Sequence, residues 1–319
     1  MGKRYQTRKE KWEVKIRLIN SIDLRFCIMK FDHLLSNTQS LMNQIYWFQQ
    51  NISYPAGASH RGVSIKYVDI QERRSSFIRE LKSTALNWVY STEKYNQLFA
   101  QEMQARNGDV QNTCSYLMQV ADHKFRKGCP QGQYGELLLF NFIQHFFRAP
   151  PLLRKMSLTT NPGLERHGAD AIHYREDNIS QCFILGESKC YESKYKFNEA
   201  LQSSVNSIVT SFENIEDELI LYQLDDFIDP NLQEIARKLK DGTLASPRFE
   251  LVCLIAYEET QNIDGHSQAE IQENIEECLA YRWKNVNNNL YASVRSPIIE
   301  RIHYVVFPTW SLSDLLNEF

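Results

Sequence analysis

The sequence predicts an α/β (α+β) chain, with a mixed central sheet flanked by helices and an N-terminal α+β region before it. Three observations carry this. Runs such as "FELVCLIAYE" and "IERIHYVVFP" are short and apolar, as buried strands are. Runs such as "SQAEIQENIEECLAYRW" repeat apolar residues at helical spacing. From Tyr134 onward the order reads helix, hairpin, helix, strand, helix, strand, helix, the alternation of a layered α/β domain.

The elements follow in order. The first dozen residues are polar and basic, a tail or capping arm. "EVKIRLI" and "LRFCIMKF" alternate as strands do. "LLSNTQSLMNQIYWFQQNI" reads as helix, "NISYPAGASHRG" as loop and "VSIKYVDI" as strand. A helical stretch runs from about Gln71 to Arg106, and residues 107–133 mix helix signals with Gly and Pro breaks. "YGELLLFNFIQHFF" is apolar almost all round, so it predicts a buried helix opened by Glu136. "GADAIHYREDNISQCFILGESK" reads as two strands around a polar turn. "KYKFNEALQSSVNSIVTSF" is a helix with a Ser/Asn-rich face, and an acidic stretch, Glu213–Asp229, follows it. The last strand is expected to end at Pro308, and Ser311 or Ser313 to cap a terminal helix. The natural boundary separates an N-terminal α+β region, 1–125, suited to partner contacts, from a domain at 126–319.

Bulk properties narrow the function. A chain of 319 residues can bury a large core, and its net charge of −3 argues against a generic basic nucleic-acid coat while leaving room for a local basic groove. The start lacks the apolar segment of a secretory signal, Gly2 lacks the myristoylation spacing, and no apolar run spans a bilayer. The seven cysteines are scattered with no C-x-x-C pair, which fits reduced thiols in a cytoplasmic protein and argues against zinc.

Chemistry concentrates in the hairpin. E-x-K occurs at Glu13/Lys15, Glu80/Lys82, Glu187/Lys189 and Glu192/Lys194, so position must discriminate among four matches. The first lacks an upstream carboxylate, the second lies in a helix where spacing of two separates the faces, and the fourth lies among exposed charges. Only Glu187/Lys189 ends a buried strand. Alternation puts Phe183, Leu185, Glu187 and Lys189 on one face and Cys182, Ile184, Gly186 and Ser188 on the other. Antiparallel pairing across the short turn brings Asp170 to Glu187. Two carboxylates at a core edge repel unless a cation lies between them, and oxygen ligands without a His or Cys cluster favour Mg²⁺ or Mn²⁺. A lysine beside them can orient water or stabilise charge on a phosphate. The competing explanation is a structural salt bridge with an incidental Asp. For Glu136, which lies on the apolar stripe of its helix, a further carboxylate contributing to the metal or its water shell and a first-turn Glu favoured by the helix dipole stay open.

A helix glutamate followed by D-x(n)-E-x-K across a hairpin resembles the PD-(D/E)xK nuclease superfamily, with Ala169 in place of the proline. More closely, "GELLLF", "PLLRKMSLTTN", "GADAIHY" and "LGESKCY" are similar to the HamA family of the Hachiman anti-phage system, over about Tyr134 to Ile208. A component of the Abp defence system carries the same kind of domain. The resemblance implies a restriction-endonuclease-like core and a Mg²⁺-dependent endodeoxyribonuclease with little sequence preference. It also implies restraint by the superfamily 2 helicase HamB. It would make Asp170 and Glu187 metal ligands, with the Ser188 carbonyl a further one, Lys189 the catalytic lysine and Glu136 the helix glutamate. Gln202 sits where some of these nucleases place a Gln at the metal or DNA, but Asn206 stands where a Tyr would follow.

Other residues are weighed against plainer readings. Lys194 and Lys196 suit phosphate contact or a solvated loop equally. His173 faces away from Asp170, and it and His167 read as packed or surface histidines. The acidic stretch suits a solvated face better than a docking surface. Lys124, Arg126, Lys127, Arg148, Arg154 and Lys155 are the candidates for a DNA track. Two rival functions remain: a non-catalytic helicase- or DNA-binding subunit, and a site-specific restriction endonuclease.

Overall fold

The computed structural model describes residues 30–52, 58–125, 131–154, 168–177, 180–193, 196–217 and 228–319. The strands are β1 (Ile45–Gln50), β2 (His60–Ile65), β3 (Tyr67–Val68), β4 (Gln71–Glu72), β5 (Pro151–Leu153), β6 (Ala171–Glu176), β7 (Gln181–Tyr191), β8 (Arg248–Glu258) and β9 (Ile302–Thr309). The helices are α1 (Gln39–Met42), α2 (Arg74–Ser83), α3 (Ala85–Val89), α4 (Thr92–Ala105), α5 (Val110–Asp122), α6 (Gln131–Phe147), α7 (Phe197–Glu213), α8 (Gln233–Lys240), α9 (Gln268–Lys284), α10 (Ser296–Ile299) and α11 (Leu312–Glu318).

Seven strands form one mixed sheet in the order β1-β2-β9-β8-β7-β6-β5, and β3-β4 is a separate hairpin. The centre, β7-β8-β9, is parallel; the β5-β6-β7 side is antiparallel. Central strands buried on both faces need apolar residues at successive positions, and β8 supplies them from Leu251 to Tyr257. On one face α7 lays Phe197, Leu201, Val205 and Ile208 over Tyr174, Phe183, Leu185 and Leu251. On the other, α6 lays Leu138, Leu139, Phe142 and Ile143 over Cys182, Ile184, Val252 and Leu254, and α2 and α11 close that layer. The mixed sheet between helical layers is the fold class the sequence predicts.

The sheet takes β1 and β2 from before residue 125 and the other five strands from after it. β2 runs parallel to β9 through Arg61 opposite Val305 and Gly62 opposite Val306.

Several elements differ from the sequence reading. Ile45–Gln50 is strand, not helix: Trp47 and Gln49 are exposed, Ile45 and Gln50 buried, and the aromatic run Tyr46-Trp47-Phe48 suits the pleated surface it shares with β2. The long helical stretch is the short strand β4 followed by α2, α3 and α4. β9 continues through Pro308 to Thr309. β2 pairs with β9 only at Val305 and Val306, so Pro308 lies where β9 is an edge and tolerates a missing N–H. The expected strands before residue 30 lie outside the described residues. Ser311 occupies the N-cap of α11 and hydrogen-bonds to the Asp314 carboxylate. Among the described residues the cysteines are free thiols. No described helix is long and apolar enough to cross a membrane.

Candidate active site

The site begins where β6 ends. Ala171 pairs with Gly186, so Asp170, one residue outside the strand, comes opposite Glu187. Two close contacts set this crossing. Gly186 lets α6 settle on β7: a Cβ there would lie 2.8 Å from Leu139 Cδ2 and 2.9 Å from Ile143 Cδ1. Ser188 N–H and Ser188 Oγ both donate to Asp170 Oδ2, at 2.8 and 2.9 Å.

Alternation along β7 holds as expected. Gly186 and Ser188 face α6, while Phe183 and Leu185 pack into the α7 layer and Glu187 and Lys189 continue that row. Lys189 Nζ donates to Glu187 Oε1 at 2.7 Å, and Ser207 on α7 hydrogen-bonds to the same carboxyl. Glu187 is only 4 % exposed.

The electrostatics of the pair differ from those of a carboxylate held low by its partner. Burial, then the negative charge of Asp170, push the Glu187 carboxyl up to about 7, although Lys189 and Ser207 pull it down. A pair built for stability would hold the carboxylate low. For Lys189, burial opposes the charge, but Glu187 and then Asp170 outweigh it and keep the ammonium above its ordinary value.

Glu136 stands differently from the sequence reading. α6 begins at Gln131, so Glu136 is in its second turn and the dipole explanation loses its basis. The true start was obscured because Gln131-Gly132-Gln133 carries no capping signal. From Gln133 to Gln144, Glu136 is the one residue that is not buried. Its neighbour Gly135 packs on Ser188, which places Glu136 at the level of the site but on the α6 side of the sheet. Among the described residues no three His, Cys, Asp or Glu side chains come together as a metal-binding group.

The donor set is nevertheless chemically coherent for a hard cation. It offers two carboxylates whose mutual repulsion a cation relieves. The N–H and C=O of a strand residue lie on the same edge, so the Ser188 carbonyl also opens on the Asp170 side. An all-oxygen set of few protein ligands is what Mg²⁺ accepts, since it keeps several waters.

The remaining candidates resolve as follows. Gln202 Nε2 bonds to Asn206 Oδ1 at 3.1 Å and to the Leu290 carbonyl at 3.4 Å, so its amide is engaged away from Glu187. His173 is buried, bonds to the Ala149 carbonyl at 2.8 Å and has its pKa pushed down to about 3 by burial, as a packed histidine should. Arg154 belongs to no surface track: it is buried, 3.2 Å from the equally buried Asp229, and bonds to the Asn87 carbonyl. Arg148 is exposed and paired with Asp32 at 2.7 Å. Lys196 is paired with Glu199. Arg126, Lys127, Lys155, His167, Lys194 and much of the acidic stretch lie outside the described residues.

Two residues escaped the sequence reading, the Ser188 side chain and Ser207. The Ser/Asn-rich face of α7 was the available signal for Ser207, which lies half-buried at the border between that face and the apolar one.

The profile of the HamA family matches residues 42–319, from the start of the fold to its last residue. The chain belongs to the HamA family. It is therefore a component of Hachiman antiviral defence, and the match reaches into the N-terminal half, where sequence motifs were few. No curated protein matches the chain. Within this HamA chain, the motif residues 135–136, 170 and 186–189 all fall where the pairing of β6 with β7 ends.

Proposed function

We propose that this HamA chain is a metal-dependent DNA endonuclease that hydrolyses phosphodiester bonds with little sequence preference and is restrained by the helicase HamB. The single observation that carries the reading is the buried Glu187, close to both Asp170 and Lys189 on a core strand just past the end of β6.

Asp170, Glu187 and the Ser188 carbonyl would hold Mg²⁺ or Mn²⁺. When bound, the ion would supply a Lewis acid for the phosphate and a more acidic water. The protein's own part is to hold the buried Glu187 carboxyl against Asp170, where a cation favours the ionised pair, and to present the Lys189 ammonium beside them. Lys189 orients the attacking water or balances charge on the phosphate. Glu136, on the far side of β7, acts through bound water rather than by direct ligation.

The test is co-expression with a HamB helicase, purification, and plasmid cleavage with Mg²⁺ and ATP. The wild type should degrade plasmid without discrete bands, and Glu187→Ala with Lys189→Ala should not. Undiminished cleavage by the double variant would remove the site assignment. A stable complex without cleavage by either would point to a binding subunit, and discrete bands to a restriction enzyme.

A further inference from the structure

We infer that Ser188, the middle residue of the E-S-K run, is a positioning residue for Asp170, and that Gly135 is small in order to leave room for it. The inference rests on the reading of Asp170 and Glu187 as a metal pair.

Asp170 lies outside β6, so the strand ladder does not hold it. Its orientation must come from side-chain bonds. Ser188 supplies two, from N–H and Oγ, and both fall on the same oxygen, Oδ2. Two donors on one oxygen fix the rotation of the carboxylate where a single donor would let it swing. The N–H bond also satisfies a strand group left without a partner where β6 ends. The hydroxyl has no such backbone duty, so it is the part of the clamp a substitution can remove cleanly.

The α6 side shows why the clamp constrains a second position. A Cβ at Gly135 would lie 3.2 Å from Ser188 Oγ and 3.3 Å from Ser188 Cβ. Either α6 would lift by a few tenths of an ångström or the hydroxyl would turn away from Asp170. Gly135 directly precedes Glu136, so "YGE" on α6 and "ESK" on β7 meet at one helix–strand contact.

The test compares wild type, Ser188→Ala and Gly135→Ala by Mn²⁺ binding, read by electron paramagnetic resonance, by plasmid cleavage and by thermal unfolding. Ser188→Ala should weaken Mn²⁺ binding about tenfold, the scale of one hydrogen bond to a charged group. It should lower kcat with KM for DNA unchanged and leave the melting temperature in place. Gly135→Ala should move binding the same way. Wild-type Mn²⁺ affinity and kcat in Ser188→Ala would overturn the inference alone. Absence of Mn²⁺ binding by the wild type would overturn the metal-pair reading, and the inference with it.

Discussion

Lys189 Nζ stands 2.7 Å from Glu187 Oε1, yet the Glu187 carboxyl sits near 7 because burial and Asp170 outweigh the lysine. This pairing does not repay the cost of desolvating the acid. Glu187→Gln keeps the shape and removes a buried charge that Asp170 repels. Its melting temperature should therefore equal or exceed that of the wild type. A clear fall in thermal unfolding would mean that the pair is structural after all.

Glu259 is the contrasting case. Its side chain is buried, and although burial alone would raise it, Arg282, the N–H groups of Gln261 and Thr260 and the Tyr257 hydroxyl bring the carboxyl down to about 2. A depressed folded pKa gives stability that is present above the unfolded value of 4.5 and is lost as pH falls toward 2. Acid unfolding should therefore steepen between these values. Glu259→Ala should cost about 3–5 kcal/mol at neutral pH, as broken buried pairs do, and flatten that acid limb. Urea titrations at several pH values measure both effects.

Arg154 separates stability from DNA affinity. Its pair with Asp229 is buried on both sides. Arg154→Ala should destabilise the fold by about 3–5 kcal/mol, read in chemical unfolding. Arg148→Ala, at an exposed pair, should cost less than about 1 kcal/mol.

Gly186 sets the fit of α6 on β7. A Cβ there would also lie 3.2 Å from Ala171 Cβ, inside the β6–β7 crossing, besides meeting Leu139 and Ile143. Gly186→Ala should lower stability by about 1–3 kcal/mol through overpacking. It should also reduce cleavage, because Glu187 is the next residue. Equilibrium unfolding and the plasmid assay together check this.

The hairpin was readable because its information is local. Alternation alone orders Phe183, Leu185, Glu187 and Lys189 on one face, and the short turn sets Asp170 against Glu187. What was not readable depends on distant partners. Arg154 looks like a surface cation until Asp229, 75 residues away, is seen to bury it. β1 looked helical because its apolar residues fit either period, and only pairing with β2 decides. The Ser188 hydroxyl was hidden because alternation turns it away from Glu187 and Lys189, and its use appears only with the position of Asp170.

The most direct measurement of the central claim is the Mg²⁺ dependence of plasmid cleavage by wild type and Glu187→Gln, with folding matched by thermal unfolding. The account predicts cleavage that rises with Mg²⁺, stops on chelation with EDTA and falls about 10²-fold or more in the variant, the scale of lost electrostatic stabilisation. Equal cleavage by both proteins, or full cleavage in EDTA, would contradict it.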